Sequence, residues 1–395
     1  FWLTNRIEMA ARFDRSGILP ARARVLANSL TIPAARLKLP EYQDLHGSLS
    51  AYWETNRFVL DADAAALPQT QFTNLPPLEA KLHAAGDTNG AWIESARISA
   101  PWLRAELSHS ARVQFASPYL AEPVAAIVEA DLSRQPWFAA RGRLSGKIQF
   151  EPAAGKYPTA AFTFSGEAMS FRLPSEMARA GTGAAERGTN VIAAKSLDLL
   201  GQLVWPQLKL AKGEVVLVDG STASVHGRVD VEQKTVAEAR ARFEGGYGRQ
   251  WLPSGLAYER ARLTANLSGP WDQLNHSGEL EVEAFRAPRL NPTRLKTRWQ
   301  GRQLQLPELQ ITATAGDSTL LAAGAAAWGP DSKQIQVRAL TLQQAGQPLL
   351  ELARPFAAIF TNQAANTWRV HLDPVDWQGG NRAVHLAGDL TWPNQ

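Results

Sequence analysis

Apolar residues recur at every second position through most of this 395-residue chain. A period of two places alternate side chains on opposite faces of a β-strand, so the pattern predicts half-buried strands. The intervening positions carry Arg, Glu, Gln, Asp and Thr, which are typical of a solvated face. The main apolar sets are Leu45, Leu49, Ala51 and Trp53; Leu144, Ile148 and Phe150; Phe162, Phe164 and Ala168; Leu199, Leu203 and Trp205; Val225, Val229 and Val231; Leu280 and Val282; Trp368, Val370 and Leu372; and Val384, Leu386, Leu390 and Trp392. The chain is therefore predicted to be all-β.

A glycine occupies the apolar phase of many of these predicted strands. The glycines are Gly47, Gly146, Gly166, Gly201, Gly227, Gly278, Gly324 and Gly388, and the segments LLGQLVWP, AAGAAAWGP and LAGDLTWP form a degenerate internal repeat. A strand glycine costs about 0.5–1 kcal/mol relative to alanine, so its repetition requires a structural reason. Two architectures provide that reason: a long sheet that curls about its own apolar face, or a β-sandwich or closed barrel with glycine at its corners. The spacing alone leaves both open.

Helical spacing is found in two places only. Residues 1–18 and residues 349–360 are each predicted to contain a short accessory helix, because apolar residues recur there at intervals of three and four. Residues 174–190, which are rich in glycine, are predicted to form a loop. No low-complexity linker interrupts residues 1–395, so we predict one continuous β segment. The chain begins with Phe1 and not with Met, and we expect it to be an internal fragment of a longer protein.

Composition excludes several kinds of function. The chain has no cysteine, so it has no disulfide framework, no thiolate nucleophile and no cysteine-based metal site. Its net charge is only +4, and basic and acidic residues are interspersed, so no nucleic-acid partner is predicted. No apolar run reaches the roughly 18–20 residues that a membrane-spanning helix needs.

No pattern in the sequence indicates catalysis. The seven histidines have no metal-ligand spacing, the G-x-S-x-G string of serine nucleophiles is absent, and Gly181 and Gly183 lack the Gly-Lys-Ser/Thr ending of a phosphate loop. Glu279, Glu281 and Glu283 alternate with apolar residues, so a solvated outer face explains them better than a carboxylate pair does. We therefore predict a chain that is not an enzyme, with no catalytic residue, metal or cofactor.

Three segments carry a resemblance to a known family. Residues 263–282 read LTANLSGPWDQLNHSGELEV, and residues 304–328 and 384–392 have similar strand pairs. In this pattern a strand ends in Leu-x-Gly-Pro-Trp or a related string, and a turn leads into Gly-x-Leu-x-Val. The pattern resembles the repeat of the TamB and AsmA-like family of bacterial envelope proteins, mainly over the second half of the chain.

The resemblance implies an elongated, curved, repetitive β-sheet that forms a taco-like apolar groove. It also implies a periplasmic location, with an inner-membrane anchor outside this segment, and a non-enzymatic role in carrying phospholipid between the inner and outer membranes. The partners would be phospholipid acyl chains. The predicted lipid-binding residues are Leu280, Val282, Val370, Leu372, Val384, Leu386 and Leu390, with inward glycines Gly201, Gly227, Gly278, Gly324 and Gly388 and with Arg369 and His371 on the outside.

Two alternatives stay open. One is a periplasmic scaffold or chaperone for outer-membrane protein assembly with an Omp85-type barrel, which would capture strands by β-augmentation. The other is a secreted carbohydrate-binding or hydrolytic β-protein, which would use tryptophans such as Trp53, Trp205, Trp271, Trp328 and Trp392 near strand ends. Tryptophans that cap the ends of an apolar face explain the same residues without a sugar ligand.

Overall fold

The chain is all-β, as the alternation predicts, and its strands pair antiparallel. A computed structural model describes residues 7–14, 18–37, 41–70, 77–116, 119–135, 140–152, 159–172, 191–252, 255–288, 291–329, 332–364 and 367–393. These residues form 25 β-strands and four short 3-10 helices, with no α-helix in the part of the chain that is described. The chain divides into two compact units, Phe1–Leu173 with Asn190–Val215, and Pro174–Thr189 with Val216–Gln395.

Unit 1 holds the first twelve strands and most of the thirteenth. They are β1 (Glu8–Arg12), β2 (Arg22–Ile32), β3 (Leu45–Glu54), β4 (Arg57–Ala66), β5 (Leu78–Asp87), β6 (Gly90–Ala100), β7 (Leu103–Leu107), β8 (Ala111–Gln114), β9 (Val124–Asp131), β10 (Ala140–Glu151), β11 (Thr159–Arg172), β12 (Val191–Val204) and β13 (Gln207–Leu217). Each strand from β1 to β6 pairs with the next. One part of β6 pairs with β7 and another with β8, β7 pairs with β9, and neighbour pairing then continues from β9 to β12.

Unit 2 holds the remaining twelve strands. They are β14 (Thr222–Asp230), β15 (Thr235–Gly245), β16 (Arg260–Pro270), β17 (Asn275–Phe285), β18 (Thr293–Arg302), β19 (Gln305–Ala315), β20 (Ser318–Trp328), β21 (Ser332–Gln344), β22 (Gln347–Leu352), β23 (Phe356–Ala364), β24 (Thr367–Gly379) and β25 (Arg382–Pro393). Neighbours pair from β14 to β21. Strands β22 and β23 then pair with different parts of β21 and with β24, which pairs with β25.

Both predicted accessory helices are wrong where the structure describes them. Within residues 1–18, β1 pairs along its whole length with β2. Within residues 349–360, the chain forms the end of β22 and the start of β23, separated by a break that includes Pro355. In both places the ladder with a neighbouring strand satisfies the backbone groups that a helix would have paired internally. The predicted loop at 174–190 lies outside the described residues.

Candidate functional site

One face of unit 1 is apolar from strand to strand. Residues that are direct partners across an antiparallel pair lie on the same face of the sheet, so the register traces that face. The trace Val25, Ala51, Leu60, Ala84 and Ile93 crosses β2 to β6 through direct partners. A second trace connects Val128 of β9, Gly146 of β10 and Phe164 of β11 to Leu199 of β12. We call this surface the apolar face of unit 1.

A trough of about 580 Å³ lies on this face. Its lining is almost entirely apolar and comes from eight strands, β2 to β7, β9 and β10. The apolar lining residues are Leu30, Ile32, Leu45, Gly47, Leu49, Ala62, Ala64, Ala80, Leu82, Ala96, Ile98, Ala105, Leu107, Ala126, Val128, Ile148 and Phe150. The alternation of apolar and polar residues produces this surface, because each of the eight strands contributes apolar residues that lie two positions apart.

The polar residues that border the trough belong to the opposite face. Ser48, Asp63, Lys81, Arg97 and Glu106 are consecutive direct partners across β3, β4, β5, β6 and β7. They form one cross-strand row between the two main apolar rows, and the side chain of Ser48 donates a hydrogen bond to Asp63. Because successive side chains point to opposite faces of a strand, this row lies on the face of the sheet opposite the trough.

Aromatic rings lie over several of the strand glycines. A Cβ atom at Gly278 would lie within 2.6 Å of Trp299 Cη2 and 2.5 Å of the Thr264 carbonyl oxygen. The rings that similarly cover glycines on neighbouring strands are Phe58 over Gly86, Phe164 over Gly146 and Phe162 over Gly201. A glycine thus allows an aromatic ring of the neighbouring strand to lie directly against its backbone. A side chain at the glycine position would push the ring away from the sheet.

The apolar face of unit 2 includes the residues predicted to bind lipid. Direct partners trace it from Leu280 through Thr297, Ile311, Ala322 and Leu340 on β18 to β21. Alternate positions on β20 carry the trace from Ala322 to Ala326, and direct partners then continue it through Ile335 and Ala358 to Leu372. The register places all seven predicted residues, Leu280, Val282, Val370, Leu372, Val384, Leu386 and Leu390, on this face. Their role in lipid binding stays a prediction.

These seven residues differ in exposure. Leu280, Val282, Val370 and Leu372 are half-buried, whereas Leu386 and Leu390 on β25 are 58% and 54% exposed. Among the described strands, β25 pairs only with β24, so it lacks a neighbour on its other side. The outermost strand of unit 2 therefore presents apolar side chains to solvent.

A bulge on β24 keeps the apolar residues of β24 and β25 on the same face of the last hairpin. Val370 and Leu372 oppose Leu390 and Gly388, but beyond an irregularity between Leu372 and Val375 the partners of Leu386 and Val384 are Val375 and Trp377. The apolar phase of β24 thus changes from even to odd positions while that of β25 does not. Arg369 and His371 lie on the opposite, exposed face with Thr391 and Asp389.

The five glycines predicted to face inward lie on the apolar faces. In unit 2, Gly227 opposes Ala239, Gly278 opposes Ala265, Gly324 opposes Leu309 and Gly388 opposes Leu372. In unit 1, Gly201 opposes Phe162. Close approach explains Gly227, Gly278, Gly324 and Gly201, where a Cβ would meet neighbouring atoms. At Gly388 the backbone is instead left-handed, with φ of 155° and open space around it.

The outer face of unit 2 carries a ladder of ion pairs. Glu279 accepts hydrogen bonds from Lys296 and Arg298, with Nζ–O and Nε–O distances of 2.8 and 2.7 Å. These hydrogen bonds hold the pKa of Glu279 below its ordinary value. Arg262 connects Glu244 to Glu283 at 3.0 and 3.1 Å. The glutamates predicted to be solvated therefore pair with basic residues on adjacent strands, and none of them lies on the apolar face.

Three histidines pair with acidic residues on neighbouring strands. His83 lies between Asp61, at 2.5 Å, and Glu94, at 3.3 Å, and the hydrogen bond with Asp61 raises the pKa of His83. His371 lies 3.1 Å from Asp389. His385 lies 2.7 Å from Asp376. Sequence spacing did not reveal these pairs, because each partner is on another strand. All three pairs lie on outer faces and are partly exposed.

The described residues contain no group of three or more His, Asp or Glu side chains arranged to hold a metal ion. Within the same residues, no helix has the length and apolar character needed to cross a membrane. The chain matches no protein-family model and no curated protein.

Proposed function

We propose that this chain is a non-enzymatic segment of a bacterial envelope protein, and that it carries phospholipid along its apolar β-sheet faces between the inner and outer membranes. The observation that carries the proposal is the trough on unit 1, whose side-chain lining is apolar. The repeat at residues 263–282, which resembles that of the TamB and AsmA-like family, supports the same function. In this proposal the segment works in the periplasm, and an anchor outside it holds the protein to the inner membrane.

The physical chemistry of the trough favours a hydrocarbon ligand. Backbone polar groups of the lining strands are paired in the ladders, so the surface offers few hydrogen bonds to a polar substrate. Each buried acyl CH₂ gains about 0.8 kcal/mol, and this gain has no preferred direction. Neighbouring positions along the face therefore have similar energies, and a lipid can move between them while its headgroup stays in water.

A charge on the trough side tests the proposal. Ile98 lines the trough and is 52% exposed, so an arginine there can reach water and leave the fold intact. Ser99 is the next residue on β6 and lies on the opposite face, with Glu79 and Arg104 as its direct partners. Ile98→Arg should reduce bound lipid by about tenfold or more, because acyl chains avoid a charge and its hydration. Ser99→Arg should leave bound lipid unchanged.

The measurement is lipid extraction and mass spectrometry of the purified proteins, together with labelling by a phospholipid that carries a photoreactive acyl chain. Circular dichroism confirms that both variants are folded. Equal labelling of Ile98→Arg and Ser99→Arg, or no lipid on the unmodified protein, would overturn the proposal.

One observation favours a second function, the capture of strands for outer-membrane protein assembly. Among the described strands β25 has one neighbour, so its other side can pair with an added strand. A peptide with alternating apolar residues should then protect β25 amides from hydrogen exchange. Protection of β25 without any lipid binding would favour this second function over the first.

A further inference from the structure

We infer that one edge of unit 1 docks onto the surface of a phospholipid bilayer that contains anionic lipid. This edge, which we call the aromatic edge, is formed by the ends of β1, β3, β5 and β8 and by the starts of β2, β4 and β6. The inference goes beyond the proposed function, because a chain can rest on a bilayer whether or not its trough binds lipid.

The exposed aromatic side chains of β1 to β8 and their connections gather at this edge. At the opposite ends of the same strands, the described aromatic residues Tyr42 and Trp102 are buried and half-buried. Tyr and Trp are enriched where proteins meet the bilayer interface, because their rings are partly apolar and partly polar. The aromatic residues of the edge, each between 42% and 60% exposed, are Phe13, Tyr52, Trp92, Phe115 and Tyr119.

Two aliphatic residues add to the apolar surface of the aromatic edge. Ile18 and Leu19 lie in the connection between β1 and β2, and they are 97% and 52% exposed. Phe115 stacks on Phe58 of β4, with 6.2 Å between the ring centroids, so the apolar face of unit 1 reaches this edge. A concentration of exposed apolar side chains of this kind is typical of an interaction site.

Arginines are interspersed among these apolar residues. The guanidinium group of Arg24 lies over the ring of Tyr52 and that of Arg112 over the ring of Trp92, each 5.2 Å from the ring centroid. Such pairs keep a positive charge at a boundary between apolar surface and water. The basic residues of the edge are Arg12, Arg22, Arg24, Arg57 and Arg112, against the carboxylates of Asp14, Glu54 and Asp87. The excess positive charge favours an anionic surface.

A hollow of about 370 Å³ at the aromatic edge brings three of these arginines together. Arg12 and Arg22 are direct partners on β1 and β2, and Arg24 lies two positions further along β2 on the same face. Like charges directly opposite each other repel. Glu54 pairs with Arg22 at 2.7 Å and is the one acidic residue of the described lining, so a positive excess stays in the hollow. The phosphate of a phospholipid headgroup would balance this charge and accept hydrogen bonds from the guanidinium groups.

A bilayer surface accounts for both kinds of side chain at this edge. Apolar residues flanked by basic ones match a surface in which anionic headgroups cover hydrocarbon. An acidic protein partner would account for the arginines alone. The aromatic edge is therefore assigned to a bilayer, and binding of an acidic polypeptide is an outcome of the test.

Vesicle flotation tests the inference with the purified chain. The vesicles consist of phosphatidylcholine alone or of an equal mixture of phosphatidylcholine and phosphatidylglycerol. We expect the chain to float with the mixed vesicles and to be released by salt, because exposed charges are screened. Arg12→Gln combined with Arg24→Gln should weaken this binding by about tenfold or more. Arg141→Gln combined with Arg172→Gln is the matched control, because these two exposed arginines lie at the opposite edge, at the start of β10 and the end of β11.

A fluorophore attached to a single cysteine tests which edge enters the bilayer. The chain has no cysteine of its own, so Ile18→Cys gives a unique attachment point. Leu67→Cys is the control, because Leu67 is 56% exposed and follows β4 at the opposite edge. We expect nitroxide-labelled lipid in the mixed vesicles to quench the fluorophore at position 18 and not the one at position 67. This test remains if the arginine variants do not fold.

The outcomes are separate from those of the proposed function. Quenching at position 18 alone, together with selective loss of binding in the Arg12→Gln and Arg24→Gln protein, supports docking by the aromatic edge. Equal quenching at both positions, equal loss in both pairs of variants, no vesicle binding, or binding of polyglutamate without vesicle binding overturns it. Ile98→Arg should bind vesicles as the unmodified chain does, and loss of its binding would assign the vesicles to the trough instead. Vesicle binding without extractable lipid would contradict the proposed function and leave this inference standing.

Discussion

Replacing Gly278 with alanine tests whether the strand glycines exist to admit neighbouring rings. Gly278 lies on β17 of unit 2, with the Trp299 ring of β18 over it and the Thr264 carbonyl oxygen of β16 close by. The backbone at Gly278 is not left-handed, so alanine can adopt its conformation. Any loss of stability must then come from the added methyl group.

Two opposing effects determine how much Gly278→Ala should change the free energy of unfolding. A compatible glycine-to-alanine change stabilises a protein by about 0.4–1 kcal/mol, because it restricts the unfolded chain. The new Cβ would lie 2.5 Å from a backbone oxygen, and Trp299 would also have to move. Such overpacking costs about 1–3 kcal/mol, so we expect a net loss of about 1–2 kcal/mol.

Thermal and denaturant unfolding, followed by tryptophan fluorescence, measure this loss. For a unit of this size it corresponds to a melting temperature lower by roughly 2–8 °C. Gly329→Ala is the control, because a Cβ there would lie no closer than 3.2 Å to any atom outside its chain neighbours and its backbone is not left-handed either. A Gly278→Ala protein as stable as Gly329→Ala would refute the idea that glycine makes room for the ring.

Three further predictions concern charge. The hydrogen bond with Asp61 raises the pKa of His83 above 6.5. The contribution of this pair to folding stability is therefore complete below pH 6.5 and is lost as the pH rises through the raised pKa. Asp61→Asn should lower the His83 midpoint in an NMR titration, and an unchanged midpoint would contradict this. Arg262→Ala should barely move the denaturation midpoint, since the Arg262 ion pairs are exposed; a large drop would show that the ladder holds the sheet together. Leu386→Arg should abolish labelling of β25 by a photoreactive lipid and Thr391→Arg should not, and equal labelling would exclude β25 from the lipid path.

The period-two alternation was sufficient to predict most of the strands and, where no bulge intervenes, which of their residues share a face. Ala168, predicted to share a face with Phe162 and Phe164, instead has a left-handed backbone with φ of 49°, and the buried residue there is Met169. Leu45, Leu49, Ala51 and Trp53 were predicted to share a face. Leu49, Ala51 and Trp53 oppose Ala62, Leu60 and Phe58 of β4, and Leu45 opposes Ile32 of β2. Burial of one face fixes strand register, so side-chain chemistry alone carries this information. The trough was not predictable in the same way, because its volume depends on how eight strands pair.

The helical spacing of apolar residues gave a wrong prediction where pairing with a neighbouring strand determined the structure. Leu349, Leu352 and Phe356 recur at helical intervals, yet Leu350 of β22 and Phe356 of β23 each pair with a residue of β21. An apolar run this short is compatible with either structure, and pairing with a long neighbouring strand selects between them.

Features that depend on bulges, or on partners distant along the chain, could not be predicted from the sequence either. The change of phase between Leu372 and Val375 on β24 has no local signal apart from Pro374. The partners of His371 and His385 are 18 and 9 residues away along the chain. A strand register must be known before such pairs can be seen.

The pairing of each strand with its sequence neighbour also has a consequence for how this chain acquires its structure. From β14 to β21 every ladder joins consecutive strands, so the contacts that define unit 2 there are local in sequence. Local contacts need little loop closure, and they let order spread from one hairpin to the next. A chain delivered end first into another compartment could therefore fold as it arrives, with each completed hairpin serving as the template for the following strand.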